Sequence, residues 1–504
     1  MAMIAKRLGL SVVLIERGRH PRFVIGESST PLANLLLEEI ARRYELPRLL
    51  PLTKWGTWQR TYPAIGCGLK RGFTFFHHEF NQPFAADPDR RDQLLVAASP
   101  RDEIADMHWY RPDFDHFLIQ EAQALGIEYV DEAKMSRVEF AGDMATLSGE
   151  RKARCLNVRA RLVIDATGPR GFLHRTLGLQ EEPFETLPRT QALYTHFAGV
   201  NRWDEIFAGD EMPPYPIDDA AMHHVFDGGW IWVLRFNNGA TSAGVAAIDE
   251  LANELHLSHG ASAWDRLLRR LPTVGEQFVD SVTRYPFVHA PRLSFCGRTV
   301  VGSRWALLPS AAGFVDPLLS TGFPLTLMGI IRLARALAED WNSPRLEAAL
   351  KSYARPTRQE LDLTANLVAG LYASMRDFEL FVALALLYFA AASFSETARR
   401  LGKPHIAPGF LLAEHQDFAP RLREYCRRVL GASTNGGLTA KARGELIGGI
   451  RHAIEPFDVA GLNSPDRRNW YPIDPRDLLN AAAKLEATES EVKAMLGRCG
   501  VLSD

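Results

Sequence analysis

The chain has 504 residues, of which 46% are hydrophobic and 23% charged, and its formal net charge is −2. This composition excludes a disordered chain, a fibre and a disulfide miniprotein, and the length predicts roughly three domain-sized units or fewer large ones. The balanced charge gives no electrostatic reason to expect nucleic acid or a membrane surface as a partner. The five cysteines are sparse and form no CxxC pair, which favours a reducing cytoplasm.

The first predicted elements are the end of a helix at 2–8, a stop at Gly9 and a strand at 11–15 that ends in Glu16. This order is typical of the second half of a βαβ dinucleotide-binding unit, in which such an acidic residue bonds the adenosine ribose. The glycine loop of the unit lies about 20 residues before that acid. The spacing therefore predicts that the first strand and the glycine loop fall before Met1, as in an N-terminally truncated domain.

Further along the chain, periodicity and turn residues predict both helices and strands. The predicted elements are a helix at 113–126, a buried strand at 162–165 that turns at Gly168, a hairpin of 230–236 and Thr241–Ile248, a helix at 323–337 and an apolar helix at 378–394. The apolar segment is shorter than the roughly 20 residues of a membrane span. We therefore expect a buried helix over a substrate pocket there.

Four segments carry motifs that can be compared with known families: 16–28 (ER…PR…GES), 109–115 (WYRPDFD), 162–168 (LVIDATG) and 305–322. Taken in order, they resemble the flavin-dependent halogenases, a tryptophan halogenase-like group within the FAD-dependent monooxygenase superfamily. The resemblance covers roughly 1–335 and implies an α/β fold class. A Rossmann-like FAD-binding domain, its first strand and glycine loop missing, would interleave with a mainly antiparallel substrate-side sheet, followed by a C-terminal helical region. The implied domains are 1–180 with 285–335, then 181–284, then 336–504.

The same resemblance implies which residues bind FAD. Glu16 would hold the adenosine ribose, and Arg111 would bond phosphate oxygens through its planar guanidinium. The full implied set is Glu16, Arg17, Glu27, Ser28, Arg111, Asp165, Gly168, Ser310, Asp316 and Gly322. Ser310 stands where the family has an aspartate that bonds the ribityl chain, and its hydroxyl would be a weaker substitute.

A halide site follows from the segment 314–322, which matches the family pattern F-x-x-P-x-x-S-x-G. In the family, backbone amides of a Thr-Gly pair help bind the halide, so Thr321 and Gly322 are the halide candidates. Amides at a helix N-terminus attract anions, which is consistent with this assignment. Tryptophan halogenases carry a glutamate where this chain has Leu319, so a phenol, a pyrrole or another arene remains open as the substrate.

The family also uses a lysine to guide the electrophilic halogen to the arene, a task that needs a primary amine near a buried tunnel. Lys70 lies in LKRGFTF, which resembles the family strand K-x-G-x-x-F, and is the expected catalytic residue. Lys54 is the competing candidate, because its spacing from Glu27 is closer to the usual interval. Both could also be ordinary surface lysines.

The signature W-x-W-x-I-P is only partly matched, since Leu234 and Arg235 replace its last two residues. This leaves an FAD-dependent aromatic hydroxylase open as an alternative, and the missing glycine loop leaves a truncated, non-catalytic flavoprotein open. The histidine pairs at 77–78 and 223–224 match no ligand motif, so no metal is expected.

The main prediction is a cytoplasmic FAD-dependent halogenase, an oxidoreductase that acts on an electron-rich aromatic substrate with reduced FAD, oxygen and halide. The chain carries no second glycine-rich nucleotide motif. We therefore expect a separate flavin reductase, bound transiently, to supply the reduced FAD.

Overall fold

The computed structural model describes residues 1–207, 211–434 and 437–502, which form an α/β architecture with mixed sheets. The α-helices of these residues are α1 (Ala2–Arg7), α2 (Pro31–Arg43), α3 (Trp55–Thr61), α4 (Arg111–Ala124), α5 (Phe172–Leu177), α6 (Trp203–Ile206), α7 (Asp249–Glu254), α8 (Ala261–Arg270), α9 (Pro272–Gln277), α10 (Pro309–Ala312), α11 (Gly322–Asp340), α12 (Leu346–Ser374), α13 (Phe378–Arg400), α14 (Phe418–Thr434), α15 (Ala440–Ile454), α16 (Pro475–Asn480) and α17 (Glu489–Cys499). The strands are β1 (Val13–Ile15), β2 (Cys67–Lys70), β3 (Gly72–His77), β4 (Gln93–Ala97), β5 (Asp106–Trp109), β6 (Glu128–Val130), β7 (Ala133–Ala141), β8 (Met144–Arg151), β9 (Arg154–Ala160), β10 (Val163–Asp165), β11 (Thr190–Ala198), β12 (Ala221–Phe226), β13 (Gly229–Arg235), β14 (Thr241–Ile248), β15 (Val282–Thr283), β16 (Val288–Ala290), β17 (Phe295–Cys296), β18 (Val301–Gly302), β19 (Trp305–Leu307), β20 (Gly313–Phe314) and β21 (Trp470–Tyr471).

The largest sheet has nine strands, in the order β15-β11-β14-β13-β12-β3-β4-β21 with β16 beside β11. The predicted hairpin is present as the antiparallel pair β13 and β14. Strands β3 and β4 come from the first hundred residues, and β3 pairs with β12 in parallel. The sheet therefore extends well beyond the segment 181–284.

Successive side chains of β13 enter two different cores. Trp230, Trp232 and Leu234 pack in the core shared with the long helices, whereas Ile231 and Val233 pack in a second core on the other face. This alternation follows from the two-residue period of a strand. Because both faces are covered, the strand reads as one continuous apolar run.

Two short parallel pairings lie outside the large sheet. The strand predicted at 11–15 is observed as β1 and pairs with β6, and the strand predicted at 162–165 is observed as β10 and pairs with β19. Between them in sequence, β7, β8 and β9 form a separate antiparallel sheet.

The apolar segment predicted as a buried helix is α13, which continues to Arg400. This helix is long and apolar enough to cross a membrane, but 83% of its most apolar window is buried inside the protein. Its rings pack against β3: the centroids of Phe381 and Phe75 are 5.9 Å apart, and those of Phe389 and Phe73 are 5.3 Å apart. The helix therefore forms one wall of the main core.

Strands β2 and β3 meet at a break that positions the candidate site. One residue, Arg71, separates them, and its backbone N–H bonds the carbonyl of Asp219 instead of a partner in β5. Strand β2 pairs with β5, whereas β3 joins the large sheet. Ser28 forms an isolated bridge with His108 in β5. The chain around Ser28 therefore lies against β5, the strand that also pairs with the strand of Lys70.

Candidate functional site

Lys70 is the last residue of β2 and is completely buried. Its Nζ donates hydrogen bonds to Ser28 Oγ at 2.8 Å and to the carbonyl of Ser29 at 2.6 Å. The same nitrogen lies 3.7 Å from the ring centroid of Phe73, a cation–π contact. Burial lowers the pKa of Lys70 to about 7, so the amine can change charge near neutral pH.

The 26–29 segment (Gly-Glu-Ser-Ser) is also held from the side on which the cofactor is expected. Arg111, the first residue of α4, donates from Nη1 to the carbonyl of Gly26 at 2.9 Å. Its other nitrogens bond the Asp115 carboxylate at 2.7 and 2.9 Å, which fixes the guanidinium in place. The guanidinium carbon lies 5.8 Å from the ring of Phe323 in the first turn of α11. Arg111 therefore connects the 26–29 segment with the start of α11.

A buried pair that the sequence did not indicate holds the second residue of this segment. His196 Nε2 in β11 lies 2.7 Å from Glu27 Oε1, and both side chains are shielded from solvent. The rings of Phe23, Tyr110 and Tyr285 surround the imidazole at centroid distances of 4.8, 5.6 and 5.7 Å. Glu27 and His196 are distant in sequence and share no motif, so only the fold brings them together.

The two N-terminal candidates differ in how they are held. Glu16 follows β1, and its Oε1 accepts a hydrogen bond from the Gly18 N–H at 2.7 Å. Its Oε2 lies 3.6 Å from the Arg22 guanidinium, so its carboxylate is partly engaged by its own loop. Arg17 is exposed.

Asp165 and Gly168 shape the turn that follows β10. The buried Asp165 carboxylate accepts hydrogen bonds from the N–H and the hydroxyl of Thr167, at 2.7 and 2.6 Å, and from the N–H of Leu173 at 2.7 Å. In this structure the carboxylate holds its own turn. Gly168 has φ +81°, and a Cβ built there would meet nothing within 4 Å, so the backbone faces open space.

The segment 317–322 has a strained backbone. Leu319 and Ser320 both adopt positive φ, at 66° and 55°, although neither is glycine. Each such residue costs about 1–3 kcal/mol and is found where the surroundings impose it, often at ligand sites. Thr321 is buried, whereas Gly322 is exposed at the start of α11 and a Cβ there would meet nothing within 4 Å.

A chain of buried hydrogen bonds supports this segment from the helical region. The Trp230 indole N–H donates to the Tyr372 hydroxyl at 3.1 Å, and that hydroxyl donates to Asp316 Oδ2 at 3.0 Å. Asp316 Oδ1 in turn accepts the N–H of Leu318 at 2.9 Å. Burial raises the pKa of Asp316 to about 7. The first tryptophan of the W-x-W motif therefore acts on the segment 317–322 through Tyr372 of α12, which the sequence did not indicate.

The remaining candidates have fewer contacts. Ser310 lies in the short helix α10, is half-buried, and its hydroxyl makes no hydrogen bond with the residues described. Lys54 precedes α3 and is half-buried, and its amine likewise has no hydrogen-bond partner among them. Lys70 is thus the candidate lysine that the structure brings to the 26–29 segment.

The paired histidines bond within the large sheet. His78 Nε2 lies 2.9 Å from His224 Nδ1, and His224 Nε2 lies 2.8 Å from Gln277 Oε1. His223 Nδ1 lies 3.1 Å from the carbonyl of Thr74. Burial lowers the pKa of His223 and of His224 to about 3, so both are neutral at ordinary pH.

A partly open cavity of about 100 Å³ lies between the start of α2, strands β3 and β4, and α13. Its aromatic lining includes Phe73, Tyr388 and Phe389. Lys70 Nζ lies against the ring of Phe73, so the amine and the cavity have this residue as a common neighbour.

Comparison with known proteins identifies the family. A family model described as tryptophan halogenase matches residues 106–381, just over half of the chain. The monodechloroaminopyrrolnitrin halogenase PrnC of Pseudomonas fluorescens is 33% identical over 400 residues, 77% of this chain and 68% of the relative. The tetracycline 7-halogenase of Kitasatospora aureofaciens is 31% identical over 357 residues, 68% of this chain but only 62% of its own length.

The fold is similar to that of the halogenase PltM, solved in complex with phloroglucinol and FAD. The TM-score is 0.83 at 24% sequence identity, and the match covers 93% of this chain and 96% of that one. The predicted resemblance is therefore confirmed. The chain belongs to the tryptophan halogenase family and is an oxidoreductase of the flavin-dependent halogenase class.

Proposed function

We propose that the chain binds FAD and, with reduced FAD delivered by a transiently bound flavin reductase, halogenates an electron-rich arene in the cytoplasm. The observation that carries this proposal is the position of Lys70. Its buried amine is held by the 26–29 segment, and Arg111 holds the same segment at its other end. The Lys70 amine, which would act on the hypohalous acid, and the expected cofactor side are thus joined by four residues.

The residues present fit FAD. Arg111 is a fixed guanidinium suited to phosphate oxygens, and the Ser310 hydroxyl is without a partner in the described residues. At Gly168 and Gly322 the space that a Cβ would occupy is open, which leaves room for a cofactor close to the backbone. Bound reduced FAD would supply, from oxygen and halide, the hypohalous acid.

We assign the FAD-binding part to 1–180 and 285–335, with β1, β6, β10 and β19 as its Rossmann-like strands. We assign the substrate side to the nine-stranded sheet, whose main segment is 181–284. The sheet also takes β3 and β4 from 1–180, β16 from 285–335 and β21 from 336–504, and we assign the rest of 336–504 to the cap. The backbone N–H groups of Thr321 and Gly322 would bind the halide at the start of α11.

Lys70 then holds a proton at Nζ against the ring of Phe73, a residue that lines the cavity proposed for the arene. As an ammonium, it donates a hydrogen bond to the oxygen of hypohalous acid and makes the halogen more electrophilic. The arene carbon takes the halogen, the oxygen leaves as water, and the ring proton is released. Burial keeps bulk water away from Nζ, which strengthens this hydrogen bond.

We place the arene in the cavity beside Phe73. Its aromatic lining suits a flat, apolar ring, and Glu396 adds one carboxylate to the lining. The relatives' names also support an aromatic substrate, since they contain monodechloroaminopyrrolnitrin and tetracycline. The PltM structure, which was solved with phloroglucinol, supports it as well.

The direct test supplies the purified chain with reduced FAD, oxygen, bromide and a panel of phenols, pyrroles and indoles. Mass spectrometry should show replacement of a ring hydrogen by bromine, with its doublet isotope pattern. Products that carry only added oxygen would identify a hydroxylase and reject the proposal. Fluorescence titration of FAD, run first, separates a failure to bind the cofactor from a failure of the chemistry.

A further inference from the structure

Strand β5 places a carboxylate opposite Lys70. The antiparallel register of β2 and β5 pairs Lys70 directly with Asp106, so both side chains project from the same face of this two-stranded sheet. Both are buried, Lys70 fully and Asp106 with 6% exposure. A lysine and an aspartate buried together in one core are uncommon unless they interact.

Two polar residues connect the pair. Lys70 donates to the carbonyl of Ser29, and the Asn34 side-chain amide donates both to Ser29 Oγ at 3.1 Å and to Asp106 Oδ1 at 2.6 Å. This arrangement fixes the orientation of the carboxylate with respect to the amine. Asn34 belongs to the first turn of α2, so a third element closes the network.

The other carboxylate oxygen of Asp106 has no hydrogen-bond partner among the described residues. Asp106 Oδ2 is buried and accepts no hydrogen bond from the residues described, and the same is true of Asn34 Oδ1. Such an oxygen costs about 1–3 kcal/mol relative to a bonded one. An apolar residue would avoid this cost, so the carboxylate calls for a role beyond packing.

We propose that Asp106 is a positioning residue that sets the charge of Lys70 for halogen transfer. The proposal rests on the proposed function, in which Lys70 is the amine that acts on the halogen. Asp106 does not touch the arene or the halogen; it acts through Lys70.

The electrostatics of the pair agree with this geometry. Burial lowers the pKa of Lys70 to about 7, and the charge of Asp106 opposes that shift. Burial raises the pKa of Asp106 to about 7, and the charge of Lys70 opposes that shift in turn. Each group therefore titrates under the influence of the other, near neutral pH.

The other titratable groups that face the pair come from three elements. His108 of β5 and His223 of β12 lie near Lys70, and burial first, then the charge of Lys70, lowers their pKa values, so both are neutral. On the side of α13, Asp106 faces Tyr388 and an ion pair in which Arg400 Nε lies 2.6 Å from Glu396 Oε1. Of these groups, Asp106 is the one whose charge raises the pKa of Lys70.

The test is the pH profile of halogenation by Asp106→Asn. Asparagine keeps an oxygen for the Asn34 bond but removes the negative charge, so the limb of the profile that belongs to Lys70 should move to lower pH by about one unit or more. The direction is the same whether the ammonium or the free amine is the active form. Asp131→Asn, a matched change at an aspartate paired with Arg151, should leave that limb in place.

Three further variants complete the design. Asp106→Glu should return the limb towards its original position, which a purely structural role would not predict. Asn34→Ala serves if Asp106→Asn does not fold: it removes the bond that lowers the pKa of Asp106, so it should move the limb in the same direction by a smaller amount. Lys70→Ala separates the two proposals. If Lys70→Ala remains active, the assignment of Lys70 is wrong. If Lys70→Ala is inactive but the limb stays at its original pH in Asp106→Asn, or in Asn34→Ala where that variant replaces it, the role of Asp106 is overturned.

Discussion

The Tyr372→Phe substitution tests whether the helical region controls the segment 317–322. It keeps the ring and deletes the hydroxyl that accepts from the Trp230 indole and donates to Asp316. All three side chains are buried, so water cannot replace the lost bonds. The substitution therefore leaves an indole N–H and a carboxylate oxygen without partners in the core.

Each buried group left unpaired costs about 1–3 kcal/mol of stability. The variant no longer has to desolvate a hydroxyl on folding, which offsets part of that loss. We expect a net loss of about 2–3 kcal/mol in the free energy of unfolding. The hydrogen bond from Tyr372 also lowers the pKa of Asp316, so its loss raises that pKa further. A neutral Asp316 holds the Leu318 N–H less well, and the strained backbone at Leu319 and Ser320 can relax.

Relaxation would displace the amides proposed for the halide. If about 1.4 kcal/mol of the lost energy comes from halide binding, the KM for bromide rises roughly tenfold while kcat changes less. Urea unfolding followed by tryptophan fluorescence measures the first effect, and steady-state halogenation at varied bromide measures the second. The matched control is Tyr425→Phe, whose hydroxyl donates to the carbonyl of Gly449 at 2.8 Å, in a different part of the helical region.

Two outcomes would contradict this reasoning. Unfolding free energies of Tyr372→Phe and the wild type within about 0.5 kcal/mol of each other would mean that the three buried groups do not depend on the hydroxyl. A loss of stability with an unchanged KM for bromide would mean that the hydrogen-bond chain supports the core but does not position the halide amides.

Three other substitutions test separate parts of the site. Lys70→Ala should lose halogenation by at least about a hundredfold with FAD binding intact, whereas Lys54→Ala should keep it; the reverse pattern in product analysis would refute the choice of lysine. Arg111→Gln should weaken FAD binding about tenfold or more in a fluorescence titration, and Arg137→Gln, at an exposed arginine paired with Glu139, should not. Asp316→Asn should flatten the pH dependence of unfolding. Because burial raises the pKa of Asp316 from 3.8 to about 7, the folded chain keeps a proton that the unfolded chain loses, so stability falls as pH rises across that window. Equal slopes in the variant and the wild type would contradict that assignment.

Local sequence signals predicted the elements well where one pattern dominates. The helix predicted at 323–337 is α11, which starts one residue earlier and runs three residues further, to Asp340, because no glycine or proline stops it. The hairpin at the Asn-Gly turn is present as β13 and β14. These features depend on neighbouring residues, and turn chemistry and periodicity report on neighbours.

Long-range pairing could not be predicted in the same way. The parallel pairing of β3 with β12 joins segments about 150 residues apart, and it places early residues in the large sheet. His196, Asp106 and Tyr372 were missed for the same reason. Each acts on a motif residue that lies far from it in sequence, and none stands in a motif of its own.

The motif at Trp230 shows how two interpretations can both hold. The alternating residues of this strand are equally compatible with a tryptophan that simply packs in a core, and the ring is indeed buried. The indole N–H nevertheless needs a partner once it is buried, because an unpaired one is costly. Packing buries the indole, and burial requires the hydrogen bond to Tyr372 that connects Trp230 with Asp316. The structural and the functional interpretation therefore describe one arrangement.

The 26–29 segment links Arg111, on the proposed cofactor side, to the amine of Lys70 through its backbone. Its first carbonyl is held by Arg111, its Glu27 side chain by His196, and its two serines by Lys70. Because each of these four consecutive residues is held by a contact, a shift at one end would strain the contacts at the other end. A change in the position of Arg111 would therefore reach Lys70 within about 10 Å of chain. This short path would let one glycine-containing segment serve both sides of the site, since its contacts come from strands β2, β5 and β11 and from helices α2 and α4.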